Sequence, residues 1–419
     1  PSYYKIFIFH YNILPGKFVF FSFLCYNKTC VSENAVWSRK GNLFFMRRRQ
    51  GAQAIRRRKH RPQKGFYIGI AAAALTVLVV LYLVFFTGLF RPAQSFFRLG
   101  AAENAQVSAA DSSMIYSLKG TTLYASDVKG ENKWAYKFSS GQMQLCSSKN
   151  LICLYSQQTA TVISTAQAPL FTLPVSDFVI SDVECGLNFI ALLCTMPEQN
   201  AQYIRIFDTA GNEIDRMELP ATQVLKMGFY GESDNFWYLT LDSSGVEVIS
   251  TVTVTVPSQQ KVIGIYDAYG QLVSDVCFFG SDLYLSDTTS LSVYNTFDQS
   301  KQSETLIYGT KLVDSHATSN DLFLAYAPVS SVDGSTYTIR LLSRSGLDTL
   351  IQLPSGISHF ALSERYIYCF SKDSVYVYAH TGEFVKSIPV GFEITSFRKL
   401  CPGVVLLGGP DGLYTMPLS

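Results

Sequence analysis

Beyond residue 100, apolar side chains fall at alternate positions in short runs, and the runs break on Gly, Asp, Asn or Ser. A period of two is that of a strand whose two faces meet different surroundings, and the breaks carry turn chemistry. A run of the type MIYSL begins at Met114, and comparable runs begin near Leu151, Phe189, Phe236, Leu283, Leu322, Tyr366 and Val404, 37 to 47 residues apart. That interval is one four-stranded propeller blade. Eight starts predict an all-β propeller of eight blades. Seven blades with one merged pair is the alternative, and recurrence this even argues against two stacked sheets.

The clearest unit shows how a blade is assembled. Ile357–Ser363 (ISHFALS) gives the innermost strand and Tyr366–Phe370 (YIYCF) the second; Ser374–Ala379 (SVYVYA) and Glu383–Val390 (EFVKSIPV) follow. Leu123–Phe138, Ile204–Leu219 and Ile339–Leu353 repeat its strand, x-x-x-Gly turn, strand pattern. Gly130, Gly211, Gly346 and Gly382 are therefore expected at positive φ between third and fourth strands, with Asp127 and Asp208 bonding into their turns. IYDAYG, ending at Gly270, fails on spacing, so Gly245–Pro257 is read as a lengthened third strand and Val262–Tyr266 as the fourth. The last unit, Val404–Leu418, lacks an outer strand. A ring left open exposes two edges, and QSFFRL (Gln94–Leu99) is the predicted fourth strand that closes it.

The segment before the repeats is of another kind. Phe66–Phe90 is 25 residues without a formal charge, long enough as a helix, about 37 Å, to cross a hydrocarbon core. Eleven Lys or Arg residues lie between Arg39 and Lys64, against Arg91 and Arg98 beyond the run. The asymmetry predicts a cytoplasmic N-terminus, a single uncleaved membrane span and an extracytoplasmic body. Contact with anionic lipid is the expected role of the basic tail. The formal charge of +2 conceals the division: Arg91–Ser419 holds 20 basic and 31 acidic residues, a net of −11, which argues against nucleic acid as a partner. Residues 1–45 are apolar but interrupted by His10, Pro15, Gly16 and Lys17. Met46 followed by RRRQ is the expected natural start, leaving 46–65 as tail, 66–90 as span and 94–419 as propeller.

Asp127, Gly130 and Trp134 form D-x-x-G followed by an aromatic, which resembles the outer-strand signature of pyrroloquinoline-quinone-type propellers. Other units place Ile214, Leu350 or Phe384 near the tryptophan's position. The endings Gly-x-Trp-Asp and Trp-Asp of WD40-like propellers are missing. Across Gln94–Ser419 the arrangement is similar to an uncharacterised family of membrane-anchored propeller proteins from Gram-positive, clostridia-like bacteria. The resemblance implies a scaffold and no particular reaction.

Candidate chemistry is sparse. The chain has no G-x-S-x-G elbow, H-E-x-x-H pair, Walker loop, dinucleotide fingerprint or EF-hand loop. The body's histidines, His316, His359 and His380, are expected as turn and strand residues, not ligands. A quinone-dependent dehydrogenase would need a Ca²⁺ site of Glu, Asn and Asp at the mouth, whereas the acids here mark turns. Asp282, Asp321 and Asp373 adjoin hairpins of one apparent type and are a candidate acidic rim on one face. If Lys149 and Asn150 form a two-residue turn, Cys146 faces Cys153, a candidate cross-strand disulfide; buried thiols are the competing expectation for all seven body cysteines. No cofactor or metal is expected.

These readings favour a non-catalytic interaction scaffold in the cell envelope with a protein partner. A carbohydrate- or small-ligand-binding sensor is the alternative, with a funnel-site enzyme behind it. The funnel separates them: paired carboxylates or an aromatic floor favour a ligand, and small packed side chains favour the scaffold.

Overall fold

The computed structural model describes residues 96–100 and 105–418, apart from 140, 197–200, 220–221, 233, 244 and 331–333. It also describes Leu75 and a short hairpin, Phe23–Tyr26 with Thr29–Ser32. The expected span at 66–90 and tail at 46–65 lie outside the described residues, Leu75 apart. No helix among the described residues is long and apolar enough to cross a membrane.

From residue 96 onward the chain forms eight four-stranded antiparallel sheets, an eight-bladed β-propeller. Blade 1 consists of Gln106–Ser108, Ile115–Lys119, Thr122–Ser126 and Asn132–Lys137. Blade 2 begins at Gln144, blade 3 at Val179, blade 4 at Gln223, blade 5 at Asp275, blade 6 at Thr310 and blade 7 at His359. Blade 8 takes Ser396–Cys401, Val404–Gly409 and Gly412–Pro417 from the C-terminus and its outer strand, Phe97–Leu99, from the front of the body. Phe97 pairs with Thr415, Arg98 with Tyr414 and Leu99 with Leu413, so the strand predicted to close the ring does so. Leu99 is buried among Val107, Ile115, Val404 and Leu413, residues of both blades that meet at the seam.

Blade 4 has the expected strand order with different bounds. Its third strand is Ile249–Val256, shorter than the expected Gly245–Pro257 because Gly245–Val248 belong to the loop before it, and its fourth is Lys261–Tyr269, longer at its far end than the sequence suggested. The apolar clusters lie between blades, not within them. Ile180, Val183 and Leu192 of blade 3 pack with Leu151, Cys153 and Val162 of blade 2, and Ile339 and Leu341 of blade 6 pack with Ile367 and Cys369 of blade 7. A single sheet leaves two apolar faces bare, so burial comes from stacking sheet on sheet around the ring.

The turns between third and fourth strands make a second set of contacts. Gly130, Gly211, Gly346 and Gly382 all sit there at positive φ, between +78° and +96°. A Cβ on Gly130 would come 2.3 Å from the Arg98 carbonyl oxygen, and one on Gly211 3.0 Å from the Phe171 ring. Those two turns, and that of Gly382 against Thr349 and Ile351, therefore rest on the outer strand of the blade before, whereas Gly346 has open space around it. Blades 2, 4 and 5 put glutamine at the corresponding left-handed position: Gln167, Gln260 and Gln299. Gln167 donates to Ala135 O at 3.2 Å, Gln260 donates to Ile214 O at 2.7 Å, and Gln299 accepts from Ile265 N at 3.5 Å. Each partner is on the preceding outer strand, so a side chain spans the gap that glycine closes by direct approach. Asp127 and Asp208 accept two backbone N–H bonds each within their turns.

Candidate functional site: a charged channel and an apolar loop face

The innermost strands of blades 3 to 6 line an axial cavity of about 410 Å³. Four inner strands carry a β-bulge beside a charged residue: at Ile180/Asp182, Val224/Lys226, Leu312/Asp314 and Lys399/Cys401. A bulge breaks strict alternation and re-aims the side chains next to it. Here Asp182, Lys226 and Asp314 all line the cavity, with Glu184, Asp275 and Trp237. Gly228 makes room for that tryptophan, since a Cβ there would sit 3.0 Å from the indole nitrogen.

Two of the carboxylates are matched by lysines. Lys399 Nζ lies 2.6 Å from Asp314 Oδ2 and also donates to the Ser315 carbonyl at 3.1 Å. Leu362 N donates to the same aspartate at 2.6 Å, so one carboxylate joins the inner strands of blades 6, 7 and 8. Burial pushes the Asp314 carboxyl above its usual range despite these donors. Lys226 lies 3.0 Å from Asp275. The Asp182 and Glu184 pair differs. Asp182 accepts from its neighbour Val183 N at 2.9 Å and from the Tyr155 hydroxyl at 3.4 Å. No cation is paired with either acid among the described residues. Glu184 is half-buried, with protein around most of its carboxyl. Burial, then the adjacent Asp182 charge, raise its pKa from 4.5 to about 7. Such a group exchanges its proton near neutrality.

The sequence candidates fall elsewhere. Asp282 and Asp321 adjoin turns between first and second strands, whereas Asp373 lies between Phe370 and Ser374, in a turn between second and third strands. Antiparallel strands place those turns at opposite ends of a blade, so the three aspartates do not form one rim. Nor are they bare: Arg344 Nε donates to Asp282 at 2.8 Å, Ser345 donates twice to Asp321, and Ser371 Oγ donates to Asp373 at 3.2 Å. Their hairpins look alike in sequence because a polar residue precedes the aspartate in each, Ser281, Asn320 and Lys372, whichever end the turn occupies. Among the described residues, no group of three or more His, Cys, Asp or Glu side chains could hold a metal ion.

Cys146 and Cys153 are directly opposed, as the two-residue turn required. Both are free thiols in the structure, as are the other five body cysteines. Cys185 of blade 3, which sequence reasoning did not connect to them, hydrogen-bonds Cys146 across the blade gap; that bond and burial hold its pKa well above the ordinary thiol value. His359 stacks on Phe397 at 4.9 Å and His380 packs on Phe323 at 4.0 Å. His316 Nδ1 and His380 Nε2 are buried without a hydrogen-bond partner, and burial lowers both imidazole pKa values.

A second feature had no sequence signal, because it arises from loops far apart in the chain. The turns between second and third strands, and the links from one blade to the next, share one end of the propeller, here termed the upper face. On blades 4 to 6 they are joined by hydrogen bonds: Gly270 N to Val248 O, Gln271 Nε2 to Ser290 Oγ, Gly309 N to Thr288 O and Val329 N to Gly309 O. Along this ribbon Val246, Tyr269, Leu272, Leu306, Tyr308 and Val329 are each at least half exposed, Tyr308 at 73%. Val248 and Tyr337 belong to the same loops. Those eight are half of the large exposed apolar side chains among the body's described residues, gathered on one end of three adjacent blades.

No protein-family model matches the sequence, and no curated protein matches it. Solved structures do. The computationally designed Ika8 protein aligns with a TM-score of 0.55 at 12% identity, over 76% of this chain and 98% of that one. Saccharomyces cerevisiae Sqt1 gives 0.53 at 8%, over 77% and 98%. The WD40 domain of SCAP from fission yeast gives 0.52 at 8%, over 77% and 94%. At such identities the likeness is one of fold.

The raised Glu184 pKa fixes the sign of a pH effect. Between about 4.5 and about 7 the unfolded chain releases a proton that the native state keeps, so this group's contribution to stability falls as pH rises. Denaturant unfolding of wild type and Glu184→Gln at pH 5 and pH 8 should show the variant gaining relative stability at the higher pH. An equal difference at both values would contradict the assignment.

Proposed function

We propose that the protein is a non-catalytic interaction propeller, held at the cell membrane with its body outside, whose upper face on blades 4 to 6 docks another protein of the cell envelope. The exposed ribbon carries this reading. Soluble surfaces rarely leave contiguous apolar patches bare, and those that do mark contact sites. The ribbon is built on a closed ring, so it offers a surface ordered before binding, which lowers the entropic cost of association. The expected span and basic tail would confine the search for a partner to the membrane's vicinity.

By the funnel criterion, the paired Asp182 and Glu184 beside Trp237 fall on the ligand side and favour a second reading, a sensor that takes a small cationic ligand into the axial cavity. A thermal-shift screen of small organic amines separates it from the first. A shift lost in Asp182→Asn supports the ligand, and no shift from any amine removes this reading.

The docking reading is tested in crosslinked cells with Leu272→Ser/Tyr308→Ser, which alters two exposed side chains. Wild type should recover a discrete envelope partner. The variant should recover about tenfold less, the equivalent of roughly 1.4 kcal/mol. Equal recovery of the same proteins by both forms would overturn the proposal.

A further inference from the structure

The upper ribbon is asymmetric in charge. At its blade 4 end Glu247 is exposed in the loop before the third strand, and Asp267 is exposed two residues before Tyr269 on the outer strand. Asp267 accepts from Thr251 Oγ1 at 2.7 Å, which holds its carboxylate on the outward surface. The cations near the ribbon sit elsewhere. Arg340, whose guanidinium donates to the Leu306 carbonyl at 2.7 Å, is held by Asp348 at 2.8 Å. Lys226 is held by Asp275, and exposed Lys311 stands at the blade 6 end. An apolar strip thus runs from an acidic end on blade 4 toward blade 6, on a body whose net charge is −11.

Three kinds of occupant could cover such a strip, and charge separates them. An anionic membrane is repelled by the acidic end and by the body as a whole. The strip is also at the far end of the blades from the point where the chain enters: Phe97 pairs with Thr415 and Leu99 with Leu413, so the closing strand runs from the lower end upward. A second copy would bring another acidic body against this one. A protein segment with apolar side chains and a cluster of Lys or Arg satisfies both halves of the surface.

We propose that the ribbon binds a basic amphipathic segment of a partner protein, its apolar face against Leu272 and Tyr308 and its cations toward Glu247 and Asp267. This rests on the docking reading above and adds the partner's chemistry and orientation. The acidic end sets direction and encounter rate, and the apolar strip supplies the area removed from water.

The test uses the full chain in detergent and two labelled synthetic helical peptides of about five turns, identical in their leucines but carrying either Lys or Glu on the polar face. Fluorescence anisotropy should show the Leu/Lys peptide binding at least about tenfold more tightly than the Leu/Glu peptide at low salt, with most of that preference gone at about 0.3 M salt. Glu247→Lys/Asp267→Lys should abolish the preference, and Leu272→Ser/Tyr308→Ser should abolish binding of both peptides. Equal binding of the two peptides by wild type would overturn this inference while leaving the docking reading standing. Loss of both peptides, together with concentration-dependent self-association or flotation with anionic vesicles that Leu272→Ser/Tyr308→Ser removes, would assign the strip to a second copy or to lipid and overturn both.

Discussion

Every feature of this body depends on burial between sheets that cannot bury themselves. Each four-stranded blade is apolar on both faces, and the clusters around Leu192, Leu239 and Leu341 all draw side chains from two neighbouring sheets. A row of such sheets has two bare ends unless it closes. Closure falls to three residues, Phe97–Leu99, which bring the front of the body to its last blade and place Leu99 in the seam. The contacts of third turns with preceding outer strands, through glycine in some blades and glutamine in others, repeat the same device at the perimeter.

Closure also explains where function can reside. Ring symmetry fixes the inner strands around an axis and the loops at two ends, leaving few positions free to vary. In the channel the variation takes the form of bulges, which turn Asp182, Lys226 and Asp314 toward the cavity. On the upper face it takes the form of loops on blades 4 to 6 that hydrogen-bond to one another and leave apolar side chains outward. A rigid ring makes both surfaces persistent. Glu184, enclosed by protein beside Asp182, gives that region a charge that responds to pH near neutrality, independently of the loop face.

Much of the architecture was legible in the sequence, because a period of two and a spacing near forty are local signals. The eight strand starts, the turn glycines, the strand order of blade 4 and the closing strand could all be placed from residue types and intervals. The sites were less legible, for a physical reason. Which end of a blade a hairpin occupies depends on counting strands from the axis, and Asp373 was grouped with Asp282 and Asp321 because their turns share composition. Bulges leave no mark in an alternating pattern until pairing is seen, so the carboxylates of the channel passed as ordinary strand residues. The apolar ribbon combines Leu272, Tyr308 and Val329, which are distant in sequence and meet only when the ring forms. Cys185 beside Cys146 is the same case: the hairpin register placed Cys153, and only blade stacking could place the third thiol.

Native-state hydrogen exchange at the seam tests closure directly. If the front strand seals the ring, the backbone amides of Gly412–Met416 exchange as slowly as those of the third strand Ser374–Ala379 in blade 7, opening only with the whole body. Fast exchange at Gly412–Met416, with the other third strands still protected, would show an open edge there and contradict the account.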